Sequence, residues 1–254
     1  MLSASDTQRF LRHLVLREVG AQGQQALLAA RVVMVGAGGL GGPVIQYLAA
    51  AGVGRIDVVD NDRVDLTNLQ RQVQFATADI GKLKAERAAE LIRAINPNAV
   101  AKAFPEKLDD GNAVRLIAGA DLVVDGVDDF ETRFALNRAS MAARVPLLSG
   151  AIGRFDGRIS LFAPFDGDLP CLGCLMPESP PHAEVLNCAE EGVLGPVAGV
   201  VGTMLALEAV KLIVGIGRSL AGDLIIYDAL DNVARRVRLP RDPQCAHCGK
   251  LDRA

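Results

Sequence analysis

The sequence predicts an α/β fold: a Rossmann-like, doubly wound and mostly parallel sheet that is extended by antiparallel strands. Three observations lead to this prediction. Short apolar runs alternate with helical segments as far as residue 150, a glycine-rich turn follows the first run, and strand patterns with turns follow residue 150. Alternating strands and helices are typical of parallel sheets, whereas strands joined by short turns pair antiparallel. We expect a single domain over residues 1–254, divided into halves 1–150 and 151–254.

Ten elements are predicted in the first half, from apolar spacing and from the glycines and prolines that end them. Helices are expected over residues 6–30, 44–51, 82–95, 113–118 and 132–144. Strands are expected over residues 31–35, 56–60, 99–104, 121–125 and 145–149. The order strand, glycine turn, helix, strand over residues 31–60 is the beginning of a doubly wound sheet.

The second half has a different pattern. Residues 154–162 and 223–239 are predicted to form antiparallel strands, with turns at Asp156-Gly157 and near Asp231-Asn232. The uncharged stretch Gly192–Leu207 is rich in glycine and is predicted to be a buried helix. Residues 164–196 are rich in Pro, Gly, Cys and acidic residues without clear periodicity, which is typical of a functional or mobile loop.

The composition excludes several classes of protein. Hydrophobic residues make up 50% of the 254 residues and charged residues 22%, which is enough to bury a core. The net charge of −3 gives no electrostatic basis for binding nucleic acid. Gly192–Leu207 falls short of the roughly 18 residues of a membrane span, and Arg9 and Arg12 come too early for a secretory signal. We therefore expect a cytoplasmic protein with no nucleic-acid or membrane partner.

The glycine-rich turn has the pattern G-x-G-x-x-G, formed by Gly36, Gly38 and Gly41, with Gly39 between them. It follows a predicted strand and opens a helix, which is the context that phosphate binding to backbone amides requires. Asp60 ends the second strand roughly 20 residues on, where a carboxylate commonly holds ribose hydroxyls. The motif does not separate NAD from ATP.

Basic and polar residues follow the second strand. Arg71 and Lys84 supply positive charge, and Asn68 and Gln70 add neutral donors. Cleavage of a triphosphate needs cations where negative charge accumulates. The alternative is that these basic residues are ordinary solvated surface charges, since most charged side chains are exposed. Asp128 and Asp129 come just past the fourth strand, where ligands of such sheets gather, and either is a candidate to hold magnesium.

Four cysteines form two C-x-x-C pairs, Cys171 with Cys174 and Cys245 with Cys248, separated by residues 175–244. Four thiolates give a closed tetrahedral zinc site that is structural rather than catalytic. The alternative is two redox or free thiol pairs. A zinc deaminase is disfavoured because H-x-E at His182 follows P-C-x-x-C, the reverse of the deaminase order.

These residues together resemble the ThiF/MoeB/HesA family, the bacterial relatives of ubiquitin-activating enzymes, and the layout is most similar to its MoeB branch. The resemblance rests on Gly36–Gly41, Asp60, Thr67–Gln72, Lys84 and Asp128, and it covers nearly the whole chain, including the cysteine pairs. Members of this family bind ATP and magnesium. They join AMP to the C-terminal glycine of a ubiquitin-like sulfur carrier protein.

The resemblance implies a role for each matching residue. Gly39 would meet phosphate and Asp60 the ribose, while Asn68, Arg71 and Lys84 would hold the triphosphate. Asp128 would bind magnesium. The nucleotide-binding set that follows is Gly36, Gly38, Gly39, Gly41, Asp60, Thr67, Asn68, Leu69, Gln70, Arg71, Lys84, Asp128 and Asp129.

The N-terminal Arg9-Phe10-Leu11-Arg12 matches the family's Arg-aromatic-x-Arg element, with Phe10 in place of Tyr. By resemblance, Arg12 would reach the γ-phosphate in the partner subunit, which implies a homodimer. Asp129 replaces the asparagine that is common in the family. Cys188, the fifth cysteine, matches a position that forms a covalent link to the carrier in some members; its other interpretation is an unused free thiol.

The leading hypothesis is an ATP-dependent adenylyltransferase that activates a sulfur carrier ending in Gly-Gly, of the MoaD or ThiS type, for molybdopterin or thiamine biosynthesis. Residues 151–254 would carry the zinc and bind the carrier, and a separate sulfurtransferase or cysteine desulfurase would supply sulfur. The alternative is an NAD-dependent Rossmann oxidoreductase. A non-catalytic zinc-stabilised scaffold and an enzyme that activates a tRNA base are also considered.

Overall fold

The computed structural model describes residues 2–177 and 192–251, which are built around one eight-stranded sheet. The strand order is β3-β2-β1-β4-β5-β6-β7-β8. Strands β3 to β5 of this order are parallel, and β6, β7 and β8 continue the sheet antiparallel. The strands are β1 Arg31–Val35, β2 Arg55–Val59, β3 Val100–Phe104, β4 Leu122–Asp125, β5 Leu147–Ile152, β6 Asp156–Phe162, β7 Asp223–Asp228 and β8 Val233–Arg238. The predicted fold class is confirmed, and the predicted division near residue 150 falls within β5.

Helices cover both faces of the parallel part. They are α1 Ala4–Arg9, α2 Leu11–Leu14, α3 Gly20–Ala29, α4 Gly41–Ala51, α5 Lys84–Ile95, α6 Ala113–Ile117, α7 Phe130–Ala143, α8 Leu172–Leu175 and α9 Gly195–Val214, with 3₁₀ turns at Leu66–Asn68 and Thr77–Asp79. Strand residues alternate between two cores, so Met34 packs with α4, α5 and α9 while Val33 packs with α6 and α7. This double covering explains why the parallel strands are continuously apolar.

Two local predictions are wrong. The single helix predicted over residues 6–30 is divided into α1, α2 and α3, because the side chain of Phe10 turns inward and is buried. It lies against Gly52, where a Cβ would come within 2.6 Å of the Phe10 ring. The turn predicted at Asp156-Gly157 lies instead at residues 153–155, and Gly157 belongs to β6. Gly157 lacks a side chain because Val201 of α9 occupies that space.

Helix α9 is long and apolar, with a mean hydropathy of 2.0 over 18 residues, so by length and composition alone it is suited to crossing a membrane. In this fold one side of it packs on the sheet, with Val201 and Leu205 buried in the core. Gly202 allows it to approach the carbonyl of Leu40 closely. The other side, including Val200 and Leu207, is exposed. The predicted burial is therefore confirmed for one face only.

Candidate functional site

A cleft of about 410 Å³ lies at the carboxyl ends of β1, β2 and β4. It occupies the point where the strand order reverses direction between β1 and β4, which is where ligands of doubly wound sheets bind. Its walls come from the glycine loop, the ends of β2, β4 and β5, the loop after β3 and the beginning of α7. The predicted site residues that line it are Gly36, Gly38, Gly39, Asp60, Arg71, Lys84, Asp128 and Asp129.

The glycine loop is shaped by close backbone approach. Gly36 has φ +87°, and a Cβ there would lie 2.9 Å from the backbone of Gly126 on the β4 side. A Cβ on Gly41 would lie 2.1 Å from the carbonyl oxygen of Gly36. Gly38 and Gly39 line the cleft, whereas Gly41 lies behind the loop and permits the turn. The loop therefore presents backbone rather than side chains to a bound phosphate.

Asp60 is held at the end of β2 by two backbone amides. Its Oδ2 accepts a hydrogen bond from the Ala37 amide at 2.7 Å, and its Oδ1 accepts one from the Asp62 amide at 2.8 Å. Burial raises the pKa of Asp60, and the positive charge of Lys84 partly offsets that effect. The carboxylate retains acceptor capacity beside the glycine loop, where ribose hydroxyls would donate to it.

Two of the predicted cations, Arg71 and Lys84, line the cleft. Lys84 opens α5 with a side chain that is only 7% exposed, and its Nζ contacts Asp62 Oδ2 at 2.8 Å. Arg71 donates from Nη1 to the carbonyl of Thr67 at 3.1 Å. A buried ammonium needs a compensating anion, and Asp62 fills that role. The predicted contact residues Thr67, Asn68, Leu69 and Gln70 lie outside the cleft lining and form the turn that leads to Arg71.

The two aspartates in the loop after β4, Asp128 and Asp129, have different contacts. Asp129 Oδ1 accepts a hydrogen bond from the Thr132 amide at 2.8 Å and thereby caps α7. Asp caps a helix about as well as Asn, so this departure from the family pattern preserves the cap. Asp128 lines the cleft and has no hydrogen bond or ion pair to any residue within 2–177 and 192–251. One free carboxylate next to a phosphate site suits magnesium, which usually takes one or two protein carboxylates together with phosphates and water.

Several residues in or beside the cleft were not predicted from the sequence. Arg133, Glu106 and Lys107 line the cleft, and Gln74 donates to the carbonyls of Ala37 and Gly38 at 2.7 and 3.0 Å. A helical arginine or a loop glutamine has no local signal that separates it from solvated surface. Only the folded chain brings these residues to the glycine loop.

Two further predicted residues lie elsewhere. Arg12, on α2, is exposed, does not line the cleft and has no charged partner within the described ranges. Its neighbour Phe10 is anchored in the core, so the backbone that carries Arg12 is well placed. Cys188 falls outside the described residues.

The four remaining cysteines come together beneath α7. Their sulfur atoms all lie within 4.8 Å of one another, with Cys171 and Cys245 3.7 Å apart and Cys174 and Cys248 3.5 Å apart. A tetrahedron with metal–sulfur bonds of about 2.3 Å has edges of about 3.8 Å, so the cluster is positioned to hold a zinc-sized ion. The amide of Asp242 donates to the Cys174 sulfur at 3.4 Å.

The cysteine cluster is attached to the same helix that begins at the cleft. The Leu172 amide donates to Asn137 Oδ1 at 3.1 Å, and the ring of His247 stacks on Phe134 with centroids 5.4 Å apart. Helix α7 therefore connects the candidate metal cluster to the Asp129 cap at the cleft.

Known proteins are similar to this chain in both sequence and fold. The ThiF family model matches residues 10–247. The sulfur carrier protein adenylyltransferase of Thermus thermophilus is 45% identical over 247 residues, covering 96% of this chain and 91% of the relative. The molybdopterin-synthase adenylyltransferase of Escherichia coli is 41% identical over 249 residues, covering 98% and 99%. The E. coli MccB structure with ATP superposes with a TM-score of 0.85 at 25% identity, covering 97% of this chain and 75% of MccB.

Proposed function

The chain belongs to the ThiF family, and from this premise we propose that it is an adenylyltransferase that activates the C-terminal glycine of a ubiquitin-like sulfur carrier protein. The observation that carries the proposal is the composition of one cleft. A glycine loop, a carboxylate at the ribose position, the cations Arg71 and Lys84, and Asp128, which has no partner among the described residues, all line it. A dinucleotide-binding protein needs the first two features only, whereas cleavage of a triphosphate also needs the last three.

The proposed reaction is a displacement at the α-phosphate of ATP. An oxygen of the carrier's C-terminal carboxylate forms a bond to the α-phosphorus, and the bond to the bridging oxygen breaks, so that pyrophosphate leaves with that electron pair. The attacking carboxylate is already ionised at neutral pH, and no general base is required. Arg71 and Lys84 stabilise the charge that develops on the phosphates. Magnesium supplies further positive charge when bound, and Asp128 would hold it.

Contacts within the cleft support the proposed stabilisation of the phosphate charge. Lys84 is paired with Asp62 and can exchange that partner for a phosphate without leaving its buried position. The side chain of Gln74 donates to the carbonyls of Ala37 and Gly38 and so holds the glycine loop in place. The resulting acyl-adenylate is the substrate from which a sulfurtransferase or cysteine desulfurase system would form the carrier thiocarboxylate.

The test of this function is ATP–pyrophosphate exchange with magnesium and a carrier that ends in Gly-Gly. Exchange is expected only when carrier, ATP and magnesium are all present. Comparing carriers of the MoaD and ThiS types would assign the pathway as molybdopterin or thiamine biosynthesis. Absence of exchange with several such carriers would reject the proposal, and enhanced NADH fluorescence on binding would favour the oxidoreductase instead.

We further propose that the enzyme acts as a homodimer in which Arg12 serves the partner's cleft. Arg12 is exposed and lacks a charged partner within the described residues, and apolar Leu11, Val15 and Leu16 beside it are also exposed. Exposed apolar groups of this kind are typical of interaction surfaces. A second copy would cover them and bring an arginine to the triphosphate.

Mixing two inactive variants tests this arrangement. Arg12→Ala and Asp128→Ala are each expected to lack exchange, whereas subunit exchange between them should restore about a quarter of wild-type activity. Random pairing makes half of the dimers mixed, and each mixed dimer has one intact cleft if Arg12 acts in trans. Mixed dimers that form but remain inactive would place Arg12 in its own subunit or outside the reaction.

A further inference from the structure

Arg133, on α7, is a buried arginine to which the proposed reaction assigns no part. We propose that it is a positioning residue that fixes the Asp128 loop (residues 126–129) against β5, and so sets how magnesium and ATP are held. This inference rests on the proposed function. It concerns the chain's own contacts rather than any contact of Arg133 with substrate.

The guanidinium of Arg133 contacts two backbone carbonyls and one side-chain carboxylate at the cleft. Its Nη2 donates to the carbonyl of Val127 at 2.6 Å and to the carbonyl of Gly150 at 2.9 Å. Its Nε lies 3.0 Å from Asp125 Oδ2. Val127 directly precedes Asp128, whereas Gly150 belongs to β5, so one side chain holds the loop to the neighbouring strand.

Asp125 completes the arrangement from the end of β4. Its Oδ1 accepts from the Val127 amide at 3.0 Å, and its Oδ2 accepts from Ser149 Oγ at 2.6 Å. Asp125 is fully buried and Arg133 is 8% exposed. Both polar groups of Val127 are therefore engaged, by Asp125 on one side and Arg133 on the other. The Asp129 cap fixes the far end of the loop. Within residues 2–177 and 192–251 the carboxylate of Asp128 has no partner, so it is available to a ligand.

The burial of this ion pair is informative. Replacing a buried pair with apolar residues of similar size is often neutral or stabilising, so packing alone does not require Arg133 and Asp125. An arginine supplies several donors in a fixed planar geometry, which suits the bridging of two carbonyls, and its charge pairs with the Asp125 carboxylate. Groups that orient a metal ligand in this way typically change metal affinity about 10- to 100-fold when removed.

Calorimetric titration of the full chain with ATP, in saturating Mg²⁺ and separately in Mg²⁺-free buffer without chelator, tests the proposal without relying on turnover. Arg133→Gln is expected to weaken Mg–ATP binding at least about tenfold and to leave metal-free ATP binding unchanged. Arg133→Lys should recover only part of the lost Mg–ATP affinity, because lysine keeps the positive charge but lacks the planar set of donors that arginine has. Arg138→Gln is the matched control, since Arg138 lies on the same helix and pairs with Asp110 at 2.7 Å outside the cleft.

The outcomes separate a positioning role from a structural one. A selective loss of Mg–ATP affinity in Arg133→Gln, with Arg138→Gln unchanged, supports the proposal. Equal weakening with and without Mg²⁺, or no weakening in a folded variant, overturns it. If Arg133→Gln does not fold, the same comparison on Arg133→Lys decides. Wild-type protein that binds Mg–ATP but shows no exchange would reject the adenylation function separately.

Discussion

Replacing Asp128 with alanine is expected to lower ATP–pyrophosphate exchange at least about a hundredfold while the protein remains folded. Asp128 lines the cleft in the loop after β4, and its carboxylate has no partner in residues 2–177 or 192–251. Its removal therefore breaks no interaction among these residues that stabilises the fold. The substitution therefore removes the proposed ligand for magnesium, without leaving a buried donor unpaired.

The measurement is the exchange rate as a function of Mg²⁺ concentration, together with thermal unfolding. Asp231→Ala provides a matched control, because Asp231 is an exposed aspartate in the turn between β7 and β8 and does not line the cleft. Both variants should unfold at the wild-type temperature. Normal exchange by Asp128→Ala would remove this residue from the mechanism.

Substituting Cys171 with serine is expected to abolish stoichiometric zinc and to lower stability by several kcal/mol, since a structural zinc site contributes on the order of 10 kcal/mol. Cys171 is fully buried at the beginning of α8, and the cluster joins this segment to the residues that follow β8. A buried three-thiolate remnant would hold the ion poorly, and the C-terminal segment would lose its attachment to α7.

The same cluster predicts how zinc binding depends on pH. Burial raises the pKa of the Cys248 thiol to about 11, and burial together with the neighbouring sulfurs also raises the pKa of the Cys171 thiol. Without metal these thiols are protonated at neutral pH, so zinc must displace their protons. Apparent zinc affinity should therefore fall as the pH is lowered.

Elemental analysis and thermal unfolding test the predicted zinc content and its contribution to stability. Wild-type protein should contain one zinc per chain, and chelation should lower its unfolding temperature. Cys188→Ser is the control, because the four cysteines of the cluster complete a tetrahedral site without it. Metal-free protein that is fully folded and as stable as the zinc-loaded form would contradict the four-thiolate site.

Local patterns were sufficient for much of the fold. The apolar runs at residues 31–35 and 121–125 predicted β1 and β4 closely, because strands covered on both faces must be apolar throughout. The prediction failed where a distant contact determined the backbone. Gly157 looked like part of a turn, yet it lies within β6 because Val201 fills the space of its missing side chain. Phe10 interrupted a helical pattern because it packs against Gly52, far away in the sequence.

The sequence by itself determined the doubly wound architecture, the glycine-rich loop and the candidate set of four cysteine ligands, because each depends on residue type and short-range spacing. Only the tertiary structure decided which polar residues meet in the cleft. It placed Arg71, Lys84 and Asp128 together there, and left Asn68 and Gln70 in the turn outside its lining. It also revealed that Arg133 joins the Asp128 loop to β5. The physical reason is that the carboxyl ends of separate strands converge at one edge of the sheet, and no local spacing records which side chains that convergence brings into contact.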